Sequence, residues 1–167
     1  MYLKSVLSIF VILSCVPWVL SAQGLDEPVL GDKDAPVTII EFASLSCPHC
    51  AAFHRERFPW LKENFIDTGK VRFIFRDFPL NRAALLGSML AHCADRRQYF
   101  AYLGLLFERQ ENWAFNEPVE KGLASLAQLA GMGKNRFESC LQDDALADQI
   151  IQSRLESQNE YDIESTP

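Results

Sequence analysis

Apolar and polar positions along the chain fall into two regimes, first strand-like runs and then helical spacing. Val37-Thr38-Ile39-Ile40-Glu41-Phe42-Ala43 is apolar and β-branched, the make-up of a half-buried strand. Ala51 to Phe65 is mostly helix-compatible, and Ser46 stands where an N-cap belongs. Val71-Arg72-Phe73-Ile74-Phe75-Arg76-Asp77 alternates in part and reads as a second strand. A helix from Cys47 to about Asp67, broken or kinked at Pro59, then makes a right-handed parallel βαβ crossover. From Asn81 the period changes. Ala83, Leu86, Leu90 and Cys93 recur at helical spacing, as do Phe100, Leu103 and Phe107, and later Leu123, Leu126 and Leu129. Gly131 and Gly133 punctuate this stretch, and Asp144 to Glu160 reads as a last helix. No internal repeat, low-complexity tract or long linker interrupts the order.

The N-terminus stands apart. Lys4 precedes an apolar run from Val6 to Leu20, and Ser21-Ala22 is a small-residue cleavage site before Gln23, the pattern of an export signal. The run contains Pro17 and is short for a membrane span of about 20 residues, which makes an uncleaved anchor the weaker alternative. Cys15, preceded by Ile12-Leu13-Ser14, fits a lipoprotein site imperfectly and is discarded with the signal. Cleavage leaves Cys47, Cys50, Cys93 and Cys140, an even number for an oxidising compartment. It also removes Lys4, so the formal charge of −6 becomes one unit more negative. Phosphate binding needs clustered Lys and Arg, and this balance argues against nucleic acid as a partner. The remainder is one domain's worth of chain, and a 49% hydrophobic composition can fill a core.

Cys47-Pro48-His49-Cys50 is the stretch that carries chemistry. Two cysteines three apart, after a strand and at the start of a helix, read as a redox dithiol. Unpaired backbone N–H groups and the positive end of the helix dipole stabilise a thiolate on Cys47, and a protonated His49 adds positive charge. Stabilising the thiolate stabilises the reduced form, so the disulfide is readily given away and the motif predicts an oxidant. The competing readings are a structural disulfide or half of a zinc site with His49 or His54. Zinc needs four well-placed ligands and no second C-x-x-C completes them. Haem attachment fails because Ala51 occupies the position that requires histidine.

Ala35-Pro36-Val37, Glu41-Phe42, Cys47-Pro48-His49-Cys50, Arg76-Asp77-Phe78-Pro79 and Thr166-Pro167 together resemble the bacterial DsbA-type thiol:disulfide oxidoreductases. The resemblance implies an α/β fold, a thioredoxin-like βαβ core with a helical insertion. Residues 1–22 are then the signal peptide, 23–80 the first part of the thioredoxin-like domain, 81–159 the insertion and 160–167 the start of the cis-proline loop. It implies that Cys47 is exposed and forms the mixed disulfide, that Cys50 resolves it, and that Thr166 and Pro167, with Pro48, offer the substrate-binding surface. It further implies action in the periplasm on reduced secreted proteins, reoxidation by a membrane-bound redox partner, and neither cofactor nor metal. Family members continue past the cis-proline with further strands and a closing helix, whereas this chain stops at Pro167 and reads as truncated there.

Glu41 shares a strand face with Val37 and Ile39, which turns its carboxylate inward and favours its neutral form. Six residues before Cys47, it matches the family's buried acid and suits proton exchange with Cys50; an edge glutamate reaching solvent is the alternative. His54 and His92 read as ordinary helix-surface residues without a role. Cys93 and Cys140 are either buried free thiols or a structural disulfide worth roughly 4 kcal/mol by loop closure. The acidic residues from Asp143 to Glu164 read as a solvated face. Sequence leaves the direction of exchange open. A reductase or isomerase of the same fold, or a peptide- or metal-binding module without turnover, shares these features.

Overall fold

A computed structural model describes Leu25 and residues 27–166. The expectations for the export signal, Cys15 and Pro167 lie outside the described residues. Strands β1 (Val29–Leu30), β2 (Val37–Ala43) and β3 (Val71–Asp77) form one sheet in the order β1-β3-β2. β2 runs parallel to β3, from Val37 opposite Val71 to Ala43 opposite Asp77. β1 closes the other side of β3 antiparallel, with Val29 opposite Ile74. A two-residue strand carries no period, and sequence patterning does not reveal it. β3 lies between its neighbours and buries Val71, Phe73, Ile74 and Phe75, a near-continuous apolar run like that of a strand covered on both faces.

The crossover is less regular than one kinked helix. α1 (Pro48–Glu56) ends at Arg57, a short α2 (Phe58–Leu61) follows, and a π turn over Lys62–Ile66 completes it. Pro59 lies in the first turn of α2, where a missing N–H costs no hydrogen bond, so the chain restarts a helix instead of bending one. Ser46 is not the cap of α1. Cys47 is the N-cap, with extended backbone at φ −85° and ψ 120°, because Pro48 at the first helical position pre-sets the turn.

The helices after Asn81 are α3 (Arg82–His92), α4 (Tyr99–Glu108), α5 (Val119–Leu129), α6 (Lys134–Leu141) and α7 (Asp144–Tyr161). Asn81 caps α3 by accepting from Ala84 N at 2.9 Å, and Asp143 caps α7 by accepting from Leu146 N at 3.0 Å. α7 runs one residue past the end read at Glu160, and Asp162 ends it in the left-handed region at φ 55°. Leu123 and Leu126 are buried, but Leu129 is 69% exposed. Successive steps of three residues each lag the helical turn by about 60°, which carries Leu129 off the buried face. Trp113 is fully buried and donates its indole N–H to Leu106 O at 2.9 Å. It fits because Gly87 and Gly122 lack side chains: a Cβ would meet the Trp113 side chain at 2.7 Å and 2.6 Å. Among the described residues no helix is long and apolar enough to cross a membrane.

A disulfide joins Cys93, at the end of α3, to Cys140 of α6, with Cα atoms 5.9 Å apart. It closes a loop that contains α4 and α5. The double variant Cys93→Ala, Cys140→Ala should lose about 2–5 kcal/mol of unfolding free energy in denaturant titration. Peptide mapping of the oxidised protein should recover a Cys93-to-Cys140 linked peptide; two alkylatable thiols there would overturn the pairing.

Candidate functional site

β2 ends at Ala43, and a short buried loop carries the chain to Cys47. Ser44 organises the loop. Its hydroxyl accepts from the amides of Ser46 and Leu80, each at 3.3 Å, and lies 3.1 Å from the Ser46 hydroxyl. Ser46 is thus spent on Ser44, which is why it does not cap α1. The Cys47 amide donates to Ser44 O at 3.0 Å. Gln110, buried just beyond α4, donates its side-chain amide to Leu45 O at 2.8 Å and Cys47 O at 3.0 Å. Two carbonyl acceptors fix which end of the Gln110 amide is nitrogen. Nothing local in Glu108-Arg109-Gln110-Glu111 signals this role.

Neither cysteine takes part in a disulfide, and the two thiols lie in different surroundings. Burial pushes the Cys47 thiol up, but the Thr166 hydroxyl, the backbone and thiol of Cys50 and the His49 backbone outweigh it, so its pKa lies below the ordinary thiol value. The amides are those of the first turn of α1, aimed at an atom that gains negative charge. For Cys50, burial dominates; with the adjacent Cys47 sulfur it outweighs the Ser44 backbone and Thr166, and the thiol is pushed up to about 12. Cys47 is not the exposed residue that the resemblance implied. It is 8% exposed against 3% for Cys50, because the Gln110-bound loop and the Thr166 segment close over it.

The other expected residues divide. Pro48 and His49 are exposed at the start of α1, and the contribution of His49 to Cys47 comes through its backbone. Thr166 is brought to the sulfurs, where its buried hydroxyl has no oxygen or nitrogen partner. Glu41 is half-buried, not deep in the core, since Val37 on its face is 51% exposed. It does not reach into solvent either: its carboxylate meets His54 Nε2 at 2.9 Å. His54 is therefore no surface residue; it is buried and stacked on Phe107 with ring centroids 4.1 Å apart. A spacing of four from Cys50 was the available signal, since it sets both on one helix face. His92 is likewise turned inward, with Nε2 2.7 Å from the buried carboxylate of Asp77. Among the described residues no group of three or more His, Cys, Asp or Glu is arranged to hold a metal ion.

Replacing Gln110 with leucine keeps the bulk but strands the carbonyls of Leu45 and Cys47. Gln110→Leu should lower unfolding free energy by about 1–3 kcal/mol in denaturant titration. It should also raise the pH at which Cys47 becomes alkylatable; an unchanged alkylation profile would show that the loop holds its geometry without Gln110.

Comparison with known proteins agrees with this arrangement. A family profile described as thioredoxin matches residues 24–167. The crystal structure of alpha-DsbA1 from Wolbachia pipientis is 36% identical and superposes with a TM-score of 0.80, covering 85% of this chain and 72% of that one. BdbD from Bacillus subtilis, in its oxidised form, is 28% identical with a TM-score of 0.71, covering 84% of this chain and 78% of that one. Among curated proteins, one from Rickettsia bellii named as a protein-disulfide oxidoreductase is 32% identical over 127 residues, 75% of this chain and 49% of its own length. The chain spans about half the length of the curated relatives it matches. A redox-type cysteine pair at the head of α1, a parallel β2–β3 pair with the expected crossover and these matches have one reading: the chain belongs to the thioredoxin family and, within it, to the DsbA-like proteins.

Proposed function

We propose that this chain carries the redox centre of a thiol:disulfide oxidoreductase that donates a Cys47–Cys50 disulfide to reduced secreted proteins. The observation that carries the reading is the opposite displacement of the two thiols, Cys47 down and Cys50 up to about 12. A thiolate held by helix amides stabilises the reduced pair, and a pair stable when reduced is a strong oxidant. In the reaction a substrate thiolate attacks Cys47. The Cys47–Cys50 bond breaks, a Cys47–substrate bond forms, and Cys50 leaves and takes up a proton. A second substrate thiolate then attacks the substrate sulfur and releases Cys47 as the thiolate. Two electrons pass to the cysteine pair, and the substrate gains a disulfide.

Cys47 is the exchanging sulfur and Cys50 the resolving one. Thr166 beside the sulfurs and the exposed Pro48 are offered to the substrate peptide, the role that the resemblance also assigns to Pro167. His49 supports the Cys47 thiolate through its amide and, when protonated, through its charge. The periplasm is the compartment that the apolar Val6–Leu20 run and the even cysteine count support, with a membrane-bound redox partner restoring the disulfide.

Oxidised full-length protein should oxidise a reduced test protein. Offered a test protein that already carries a disulfide, the Cys50→Ala variant should accumulate a mixed disulfide, because the Cys47 thiolate opens that bond, the other substrate sulfur leaves as a thiolate and no Cys50 thiol remains to release Cys47; Cys47→Ala should form none. Trapping by Cys47→Ala alone would reverse the assignment. In the reduced protein iodoacetamide, which reacts with thiolate, should modify Cys47 at neutral pH and spare Cys50 until strongly alkaline pH. The Cys47 rate should fall only as pH drops through its lowered pKa. Equal rates for both cysteines across that range would remove the basis for the proposal.

A further inference from the structure

Ser44 is the first residue after β2 and is buried. Its carbonyl accepts from the Cys47 amide at 3.0 Å, closing a turn with Ser44 in the first position, where serine is favoured. Its hydroxyl accepts from the Ser46 amide, the bond of a serine turn, and from the Leu80 amide beyond β3, each at 3.3 Å. A hydroxyl accepts two hydrogen bonds and donates one. With both acceptor sites taken, the 3.1 Å contact is Ser44 donating to the Ser46 hydroxyl. No capacity of the side chain is left over, and the loop cannot turn about Ser44 without stranding a buried amide. The Ser44 backbone N–H faces the other way and donates to the Cys50 sulfur. Among the groups that favour a Cys50 anion it acts most strongly, ahead of the Thr166 hydroxyl.

We propose that Ser44 is a positioning residue for disulfide exchange: its side chain ties the loop between β2 and α1 to Ser46 and Leu80, so that its backbone N–H meets the Cys50 sulfur as that sulfur leaves. The inference rests on the exchange reaction proposed above. An attacking thiolate forms a bond to Cys47, the Cys47–Cys50 bond breaks, and its electron pair stays on Cys50, which then takes a proton from water. Negative charge builds on a buried sulfur, and burial opposes it. A donor already aimed at that atom lowers the barrier without reorganisation, and a better stabilised thiolate leaves faster. Opening and reclosure pass through the same charged sulfur, so the amide speeds both. It leaves the end states alone, because the Cys50 thiol, pushed up to about 12, is neutral at neutral pH once the bond is open. The Cys47 thiolate is supported instead by Thr166, Cys50 and the His49 backbone.

The test is the rate at which reduced glutathione opens the disulfide of the full-length protein at neutral pH, with the reclosure rate and the equilibrium with glutathione measured alongside. Ser44→Ala keeps the backbone but strands the Ser46 and Leu80 amides. Opening and reclosure should each slow about three- to tenfold, the cost of misplacing one hydrogen bond to a developing charge. The equilibrium, and the pH at which Cys47 becomes alkylatable, should match the parent, because Gln110 still holds the carbonyls of Leu45 and Cys47. Ser44→Thr restores the hydroxyl and should recover most of the rate. A folded Ser44→Ala variant with the parent's rates overturns the proposal. So does one whose equilibrium and Cys47 alkylation both shift, the mark of a loop that has only loosened, or a Ser44→Thr variant as slow as Ser44→Ala, the mark of packing. Should Ser44→Ala not fold by thermal melt, Leu80→Pro, which removes one amide bound to the hydroxyl, should show the slowing, and the parent's rate there overturns the tie. A parent whose disulfide glutathione does not open would defeat the exchange reading itself, and this inference with it.

Discussion

A buried loop that ends in a helix N-terminus must have its carbonyls satisfied from elsewhere, and Gln110 meets that constraint for Leu45 and Cys47. A free loop in this position would draw in water, since an unpaired buried carbonyl costs as much as a lost hydrogen bond. Water at that point would dissolve the geometry that aims the first amides of α1 at the Cys47 sulfur. Gln110 follows α4, and α4 packs against α1, so the helical insertion takes part in the redox centre. It supplies the amide that the thioredoxin-like core lacks.

Closure from the other side depends on Arg76. Its guanidinium lies over the rings of Phe42, at 5.7 Å, and Tyr161, at 5.1 Å, and pairs with Glu27. Burial works against that charge, but Glu27 and Tyr161 more than offset it and raise its pKa. The end of α7 is thereby pinned to the sheet. Asp162 then turns the chain through the left-handed region, and the segment from Ile163 passes β2 to set Thr166 on the sulfurs. The neighbouring Asp77 does the corresponding work inside the molecule, where it is bonded to Ser88, to His92 at 2.7 Å and to Tyr99 at 3.3 Å. A carboxylate 2% exposed is tolerable only with such partners, and they tie β3 to α3 and α4 next to the Cys93–Cys140 bridge. Arg76-Asp77-Phe78-Pro79, first a mark of resemblance, thus has physical content at its first two positions.

Patterns confined to one element are legible in the order of residues alone. The β2 and β3 runs, the helical spacings of α3, α4, α5 and α7, the redox dithiol at the head of α1 and the change of period at Asn81 all follow from periods and local chemistry, whereas α6 has no period of its own in that reading. Those signals are short-range, because a strand face repeats every second residue and a helix face every third or fourth. Distant pairing is not legible in this way. β1 is too short for a period, and Leu129 satisfies a leucine spacing yet points outward.

The same division runs through the site. Residue type and local propensity suffice to place two cysteines at the start of a helix after a strand. They do not determine how deeply the cysteines lie, and Cys47 is buried because Gln110 and Thr166, both distant in the chain, fold over it. His54 and His92 read as surface residues because nothing in their own helices shows a partner. Tertiary packing set Glu41 of β2 against the first and Asp77 of β3 against the second. Burial and hydrogen bonding are properties of what lies opposite, and what lies opposite is decided by packing between elements, beyond the reach of any local pattern.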